Sequence, residues 1–111
     1  MELSTMELER LTAKFASLQK KLSKVGYICT GSIMALYRKC GKPNCGCREI
    51  PGMQHGPYHI WTRKEKGKTV TRSLTKAQAR CCVEYIRNFK KMESTIEEMK
   101  KIAIRMIEHQ K

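Results

Sequence analysis

His59-Ile60-Trp61-Thr62-Arg63-Lys64-Glu65-Lys66-Gly67-Lys68-Thr69-Val70-Thr71-Arg72-Ser73 reads as two short strands joined by a charged turn. In 59–63 and 69–73, β-branched and aromatic residues alternate with polar ones, which is the two-residue period of a half-buried strand. Gly67 supplies the positive φ that a hairpin loop with a bulge needs. Upstream, Ser32 to Lys39 is a short apolar run ending in charge and is read as a further strand. In the hairpin, His59, Trp61 and Arg63 fall on one face. Strand-by-strand alternation sets Arg72 and Val70 on another, with Thr69, Thr71 and Ser73 opposite them.

Outward from this centre the period changes. Leu8, Leu11, Phe15, Leu18, Leu22 and Val25 recur at alternating steps of three and four, a heptad seam closed by Gly26 as the expected C-cap. Thr75 and Gln78 form a capping box that opens a second helix. Its seam is read as Cys82, Tyr85, Phe89, Met92, Ile96, Met99, Ala103 and Met106. Both stripes are narrow, so the helices should pair with each other as an antiparallel hairpin or coiled coil, or between chains as a homodimer. The expected fold class is α+β, a single domain. A heptad helix (1–25) is followed by a metal-stapled β centre (26–74) and a second heptad helix (75–111).

The staple is read from Cys40-Gly41-Lys42-Pro43-Asn44-Cys45-Gly46-Cys47, which sets three thiols within eight residues. Zinc takes four soft or borderline ligands on a tetrahedron, and structural sites draw them from Cys and His separated by tight loops. Cys40, Cys45 and Cys47 are the expected ligands, with His55 first for the fourth place. His59 stands second, and Cys29, Cys81 and Cys82 remain alternatives. A disulfide and an iron–sulfur cluster are the rivals. The cluster is disfavoured because its common cysteine spacings differ from this one. Zn2+ is the only cofactor expected, and its role is structural.

Charge suggests the partner. The chain of 111 residues carries a formal +13, and from Arg38 to Arg80 eleven Lys and Arg face two acids, Glu49 and Glu65. A field of that sign draws polyanions, since each neutralised phosphate releases a counterion. Arg38, Lys39, Lys42, Arg63, Lys64, Lys66, Lys68 and Arg72 are the candidate nucleic-acid contacts, with DNA ahead of RNA. Thr69, Thr71 and Ser73 suit phosphate oxygens. The chain has no Asp, no paired carboxylates and no phosphate loop, so no enzyme is expected. No apolar run approaches the ~18 residues that span a bilayer. The first residues read as an amphipathic helix instead of a signal peptide, which predicts a cytoplasmic protein with no membrane partner.

The run from Gly31-Ser32 through Tyr37-Arg38-Lys39 to the cysteine cluster, then His55-Gly56-Pro57-Tyr58 and Gly67 to Arg72, resembles a family of short bacterial proteins. That family is catalogued as domain of unknown function number 6788. The resemblance spans roughly 26–100, implies a setting near transposases and other mobile elements, and implies that His55 belongs with the three cysteines. Gly46 stands where a basic residue is expected. The chain is therefore expected to be a zinc-stabilised nucleic-acid-binding accessory protein. The alternative is a coiled-coil adaptor for an acidic protein, with zinc purely structural.

Overall fold

Five elements follow one another in the computed structural model, which describes residues 3–38 and 55–110. They are α1 (Thr5–Ser23), β1 (Ser32–Arg38), β2 (His55–Glu65), β3 (Lys68–Leu74) and α2 (Lys76–His109). The class is α+β, with two helices and one antiparallel sheet in the order β1-β2-β3. The chain divides into two compact units, Cys29–Ile86 and a second made of Met1–Ile28 with Arg87–Lys111.

In the sheet unit, β2 begins at His55, four residues ahead of the alternation that marks it in sequence. The β2–β3 ladder runs from His59↔Leu74 to Glu65↔Lys68 and closes on the two-residue turn Lys66-Gly67. Both turn residues have positive φ, 50° and 80°. That is the requirement of the primed turns whose twist matches the flanking strands. The expected bulged loop is thus replaced by a tight turn, in which Lys66 shares with Gly67 the left-handed conformation.

Register also corrects the faces. Trp61 lies opposite Arg72, and Arg63 opposite Val70. Directly opposed residues in an antiparallel ladder share a face. Arg72 and Val70 therefore stand beside Trp61 and Arg63, not on another side. Alternation along one strand cannot give the phase of its neighbour, so this pairing was unreadable locally. On the reverse face Ser32, Thr62 and Thr71 form a row across all three strands, and Lys64 opposes Thr69.

The capping box forms as read. The Thr75 N–H donates to Gln78 Oε1 at 2.9 Å, and the Gln78 N–H to Thr75 Oγ1 at 3.1 Å. The first turns of α2 bury Ala79 and Cys82, at 5% and 6% exposure. Cys82 belongs to the sheet unit, where Cys29 Sγ donates to its carbonyl at 3.7 Å and the Cys29 N–H donates to the Tyr85 carbonyl at 3.3 Å. It is therefore no part of a helix–helix seam.

In the helical unit, Ser4 caps α1 by accepting the Glu7 N–H. The last turn is closed by the Lys24 and Val25 N–H groups reaching Lys21 and Leu22 carbonyls. Lys24 is the C-cap. Gly26 lies beyond it and does not take a positive φ, which corrects its expected role. All six α1-side seam residues, Leu8 to Val25, are buried or half-buried, while every other residue of α1 is exposed. On α2 the row Asn88, Met92, Thr95, Met99, Ile102, Met106 and His109, again in steps of four and three, is buried or half-buried, and the expected seam residues Phe89 and Ile96 are half-buried beside it. Ala103, expected in the seam, is exposed, and Ile102 is buried in its stead. The polar members of that row all make hydrogen bonds. Asn88 Nδ2 donates to the Tyr27 carbonyl at 3.0 Å, and Thr95 Oγ1 to the Lys91 carbonyl at 2.9 Å. His109 Nδ1 accepts the Leu3 N–H at 3.1 Å. Burial inside helices is tolerable for such groups when each is paired.

Among the described residues only Leu3, Leu18, Ala79, Cys82 and Ile102 form a buried apolar core. So thin a core is the situation in which small folds lean on a staple or a second chain. Also among the described residues, no helix is long and apolar enough to cross a membrane.

Candidate nucleic-acid interface and metal centre

Both ends of the sheet carry candidate residues. At one, the Lys66-Gly67 turn carries Lys64, Lys66 and Lys68, all exposed. At the other, β1 closes on Arg38 and β2 opens on His55, and these two residues are ladder partners after a register shift beyond Leu36. β2 is eleven residues long, so the ends stand roughly 30 Å apart at ~3.3 Å per residue. Among the described candidates, Lys64, Lys66 and Lys68 stand at the turn end and Arg38 at the other, while Arg63 and Arg72 lie between them. Lys39, Lys42, Cys40, Cys45 and Cys47 lie outside the described residues, as do the side chains of Arg38 and His55.

At the turn end a hollow of about 270 Å³ is lined by Thr30, Ser32, Thr62 and Thr69 with Lys64 and Arg63. Four hydroxyls beside cations make a set of donors suited to anionic oxygen. The nearby carboxylate of Glu65 pairs with Arg63 at 3.5 Å. Gly31, with φ 106°, lets the chain press onto β2 here. A Cβ at that position would stand 2.3 Å from the Thr62 carbonyl oxygen, so no other residue fits. Sequence reading singled out Thr69 but missed Thr30, Ser32 and Thr62, because only the fold brings three separate strands' hydroxyls together.

Arg63 is less available than its sequence suggests. Its guanidinium stacks on Trp61 at 4.2 Å from the ring centroid, and the side chain is 18% exposed. One of its nitrogens, Nη1, is buried with no hydrogen-bond partner among the described residues. Trp61 in turn donates Nε1–H to the Thr30 carbonyl at 2.9 Å. The pair is a rigid plate in which Arg63 holds Trp61, a cation–π contact favoured by partial desolvation. Arg72, Lys64, Lys66 and Lys68 are exposed.

Among the described residues, no three His, Cys or carboxylate side chains come together to hold a metal. His59 lines a groove with Ile33, Ala35, Lys76 and Ala79, which offers no second ligand. Cys29 and Cys82 are neighbours, and Cys81 is exposed. Burial pushes the Cys82 thiol up to about 11, helped by the adjacent Cys29 and opposed by Arg63. A thiol whose folded pKa is raised contributes stability that is complete below its unfolded value near 9 and is lost as pH climbs through 11. The thiolate is also the nucleophile. At pH 8, Cys81 is therefore expected to alkylate at least about tenfold faster than Cys82. Fragmentation of the singly modified peptide beginning at Cys81 reads the order directly, and equal labelling would contradict the burial of Cys82.

Residues 5–81 match the family model described as Domain of unknown function (DUF6788). The match takes in α1 and ends at Cys81, in place of the 26–100 span suggested by the motifs. No curated protein and no solved structure matches the chain.

Proposed function

Since the chain belongs to that family of unknown function, its activity has to be argued from its own residues, and we propose that it is a zinc-stabilised, non-catalytic nucleic-acid-binding protein of the cytoplasm. In this reading it binds DNA in preference to RNA and serves as an accessory to a mobile element. The observation that carries the reading is the turn end of the sheet. There three exposed lysines adjoin a hydroxyl-lined hollow, and the neighbouring Glu65 carboxylate is paired with Arg63. Phosphate recognition draws on this combination of Lys, Thr and Ser donors. Arg38, whose backbone pairs with His55 at the far end of the ladder, is a further candidate contact.

Zinc is assigned to Cys40, Cys45, Cys47 and His55. The ladder returns the chain at His55 directly across from Arg38, two residues before Cys40, which favours His55 over His59 as the fourth ligand. When bound, the metal supplies cross-linking that a thin core lacks. The two seams pair as an antiparallel coiled coil. Met6, Ile104 and Ile107, 70%, 53% and 70% exposed, remain as apolar surface through which a second copy associates.

Binding of a labelled duplex as salt is raised tests the main claim. Contact with about five phosphates predicts a slope near −4 for log affinity against log salt. Replacing Lys64, Lys66, Lys68 and Arg72 together by Gln should flatten the slope and remove most binding. The control replaces Lys14, Lys20, Lys100 and Lys101, which carry the same formal charge on the helices. Equal losses in both variants would reduce the effect to net charge. Absence of binding at low salt would favour an adaptor for an acidic protein.

A further inference from the structure

Beside Trp61, on the sheet face away from the hydroxyl row, lies a groove of about 480 Å³ that shares only Arg72 with the candidate phosphate contacts. Its walls include Trp61, Arg72, Leu74, Gln78, Cys81 and Tyr85, with no carboxylate among the lining residues. The volume is within the range of small-ligand sites, and the lining is aromatic and apolar with few polar groups. Trp61 is already immobilised, by Arg63 over its ring and by the bond from Nε1 to the Thr30 carbonyl. Stacking on it therefore costs little further ordering. Gln78 has its Oε1 committed to the Thr75 N–H, which leaves its amide N–H groups as donors beside the Arg72 guanidinium. The polar rim thus offers donors to a planar, acceptor-bearing ring.

We propose that this groove takes one unstacked nucleobase, so that the chain binds single-stranded nucleic acid in a mode unavailable to duplex. The inference rests on the nucleic-acid reading above. β3 is an edge strand, with Lys68, Thr69, Thr71 and Ser73 exposed. A backbone laid along this edge can turn a base over it and into the groove on the Trp61 side. A base paired within a duplex cannot make that turn without leaving its stack. Aromatic plates flanked by cations are the common means of holding single strands, and they tolerate sequence because every base has a π-face.

Trp61 is the only tryptophan in the chain, so its fluorescence reports the groove directly. Labelled twelve-residue single-stranded DNA and a duplex of the same sequence provide the probes, with anisotropy measuring binding independently. Saturation with the single strand should quench Trp61 strongly, and saturation with duplex should leave it nearly unchanged. Ala77 lines the groove and is exposed, so Ala77→Phe fills the space without altering charge. That variant should weaken single-strand binding by about tenfold or more and duplex binding by less than about twofold. Silence of Trp61 at single-strand saturation would overturn the proposal in the wild-type protein, whatever the variant does. So would an Ala77→Phe that weakens both probes alike or neither. If neither probe binds at low salt, the parent reading falls and the groove assignment with it. Duplex binding together with a Trp61 that stays silent at single-strand saturation removes the groove assignment alone.

Discussion

Leu18→Asp is expected to lower unfolding stability by about 2–4 kcal/mol, the scale for a charge forced into packing. Leu18 is 3% exposed, the most buried apolar side chain among the described residues, and it sits midway along the α1 seam. Ile102→Asp should cost a similar amount, because Ile102 is 6% exposed on α2. Ala103→Asp separates register from mere helix disturbance. Ala103 is exposed, so its replacement should cost well under about 1 kcal/mol. Urea denaturation followed by far-ultraviolet circular dichroism measures all three. Should Ala103→Asp prove the more damaging of the two α2 changes, the covered row would be the one read from apolarity and not the one in the structure. Hydrodynamic size measured on the same samples reports whether a second copy depends on the seam.

The second large effect concerns the metal. Protein purified under reducing, zinc-replete conditions should carry about one zinc per chain, and Cys45→Ser should bring it below about a tenth. Chelation should melt the sheet unit while leaving most helical signal, because the ligands belong to the segment joining β1 to β2. Arg38 and His55, which flank that segment, are ladder partners, so it is anchored to the sheet at both ends. Cys29→Ser serves as the control. Cys29 bonds to α2 backbone through its N–H and its thiol, and it should lose some stability without losing zinc. A wild-type preparation with less than about a tenth of an equivalent of zinc would leave the cysteine cluster without its proposed role, and the charge-based reading would then stand without a staple.

Several levels of this protein were written in its local sequence. The capping box at Thr75 and Gln78, the α1 seam and the strand character of 59–63 and 69–73 each depend on residues within a few positions of one another. Short-range propensity and period are sufficient for those. The α2 seam was only partly legible. Apolarity picks Ala103, whereas the covered position is Ile102, and Asn88, Thr95 and His109 complete the row because each has a hydrogen-bond partner. Hydropathy cannot foresee that a polar group will be paired when the partner is Tyr27 or Leu3, far along the chain. The turn shows a similar limit. Gly67 announces it, but the left-handed Lys66 follows from the twist that two paired strands impose.

The interface was decided at the tertiary level. Basic composition raised the expectation of an affinity for anions and counted Arg63 among the free contacts. Alternation already set Arg63 on the face of Trp61, and the folded register leaves its guanidinium stacked on that ring. The same register assembles Ser32, Thr62 and Thr71 into one row and leaves the groove between Trp61 and Gln78. Side-chain types and their alternation are properties of each strand alone. Which strands meet, and in what phase, is settled by ladder hydrogen bonds and by burial against α2, and only then do separate residues become a site.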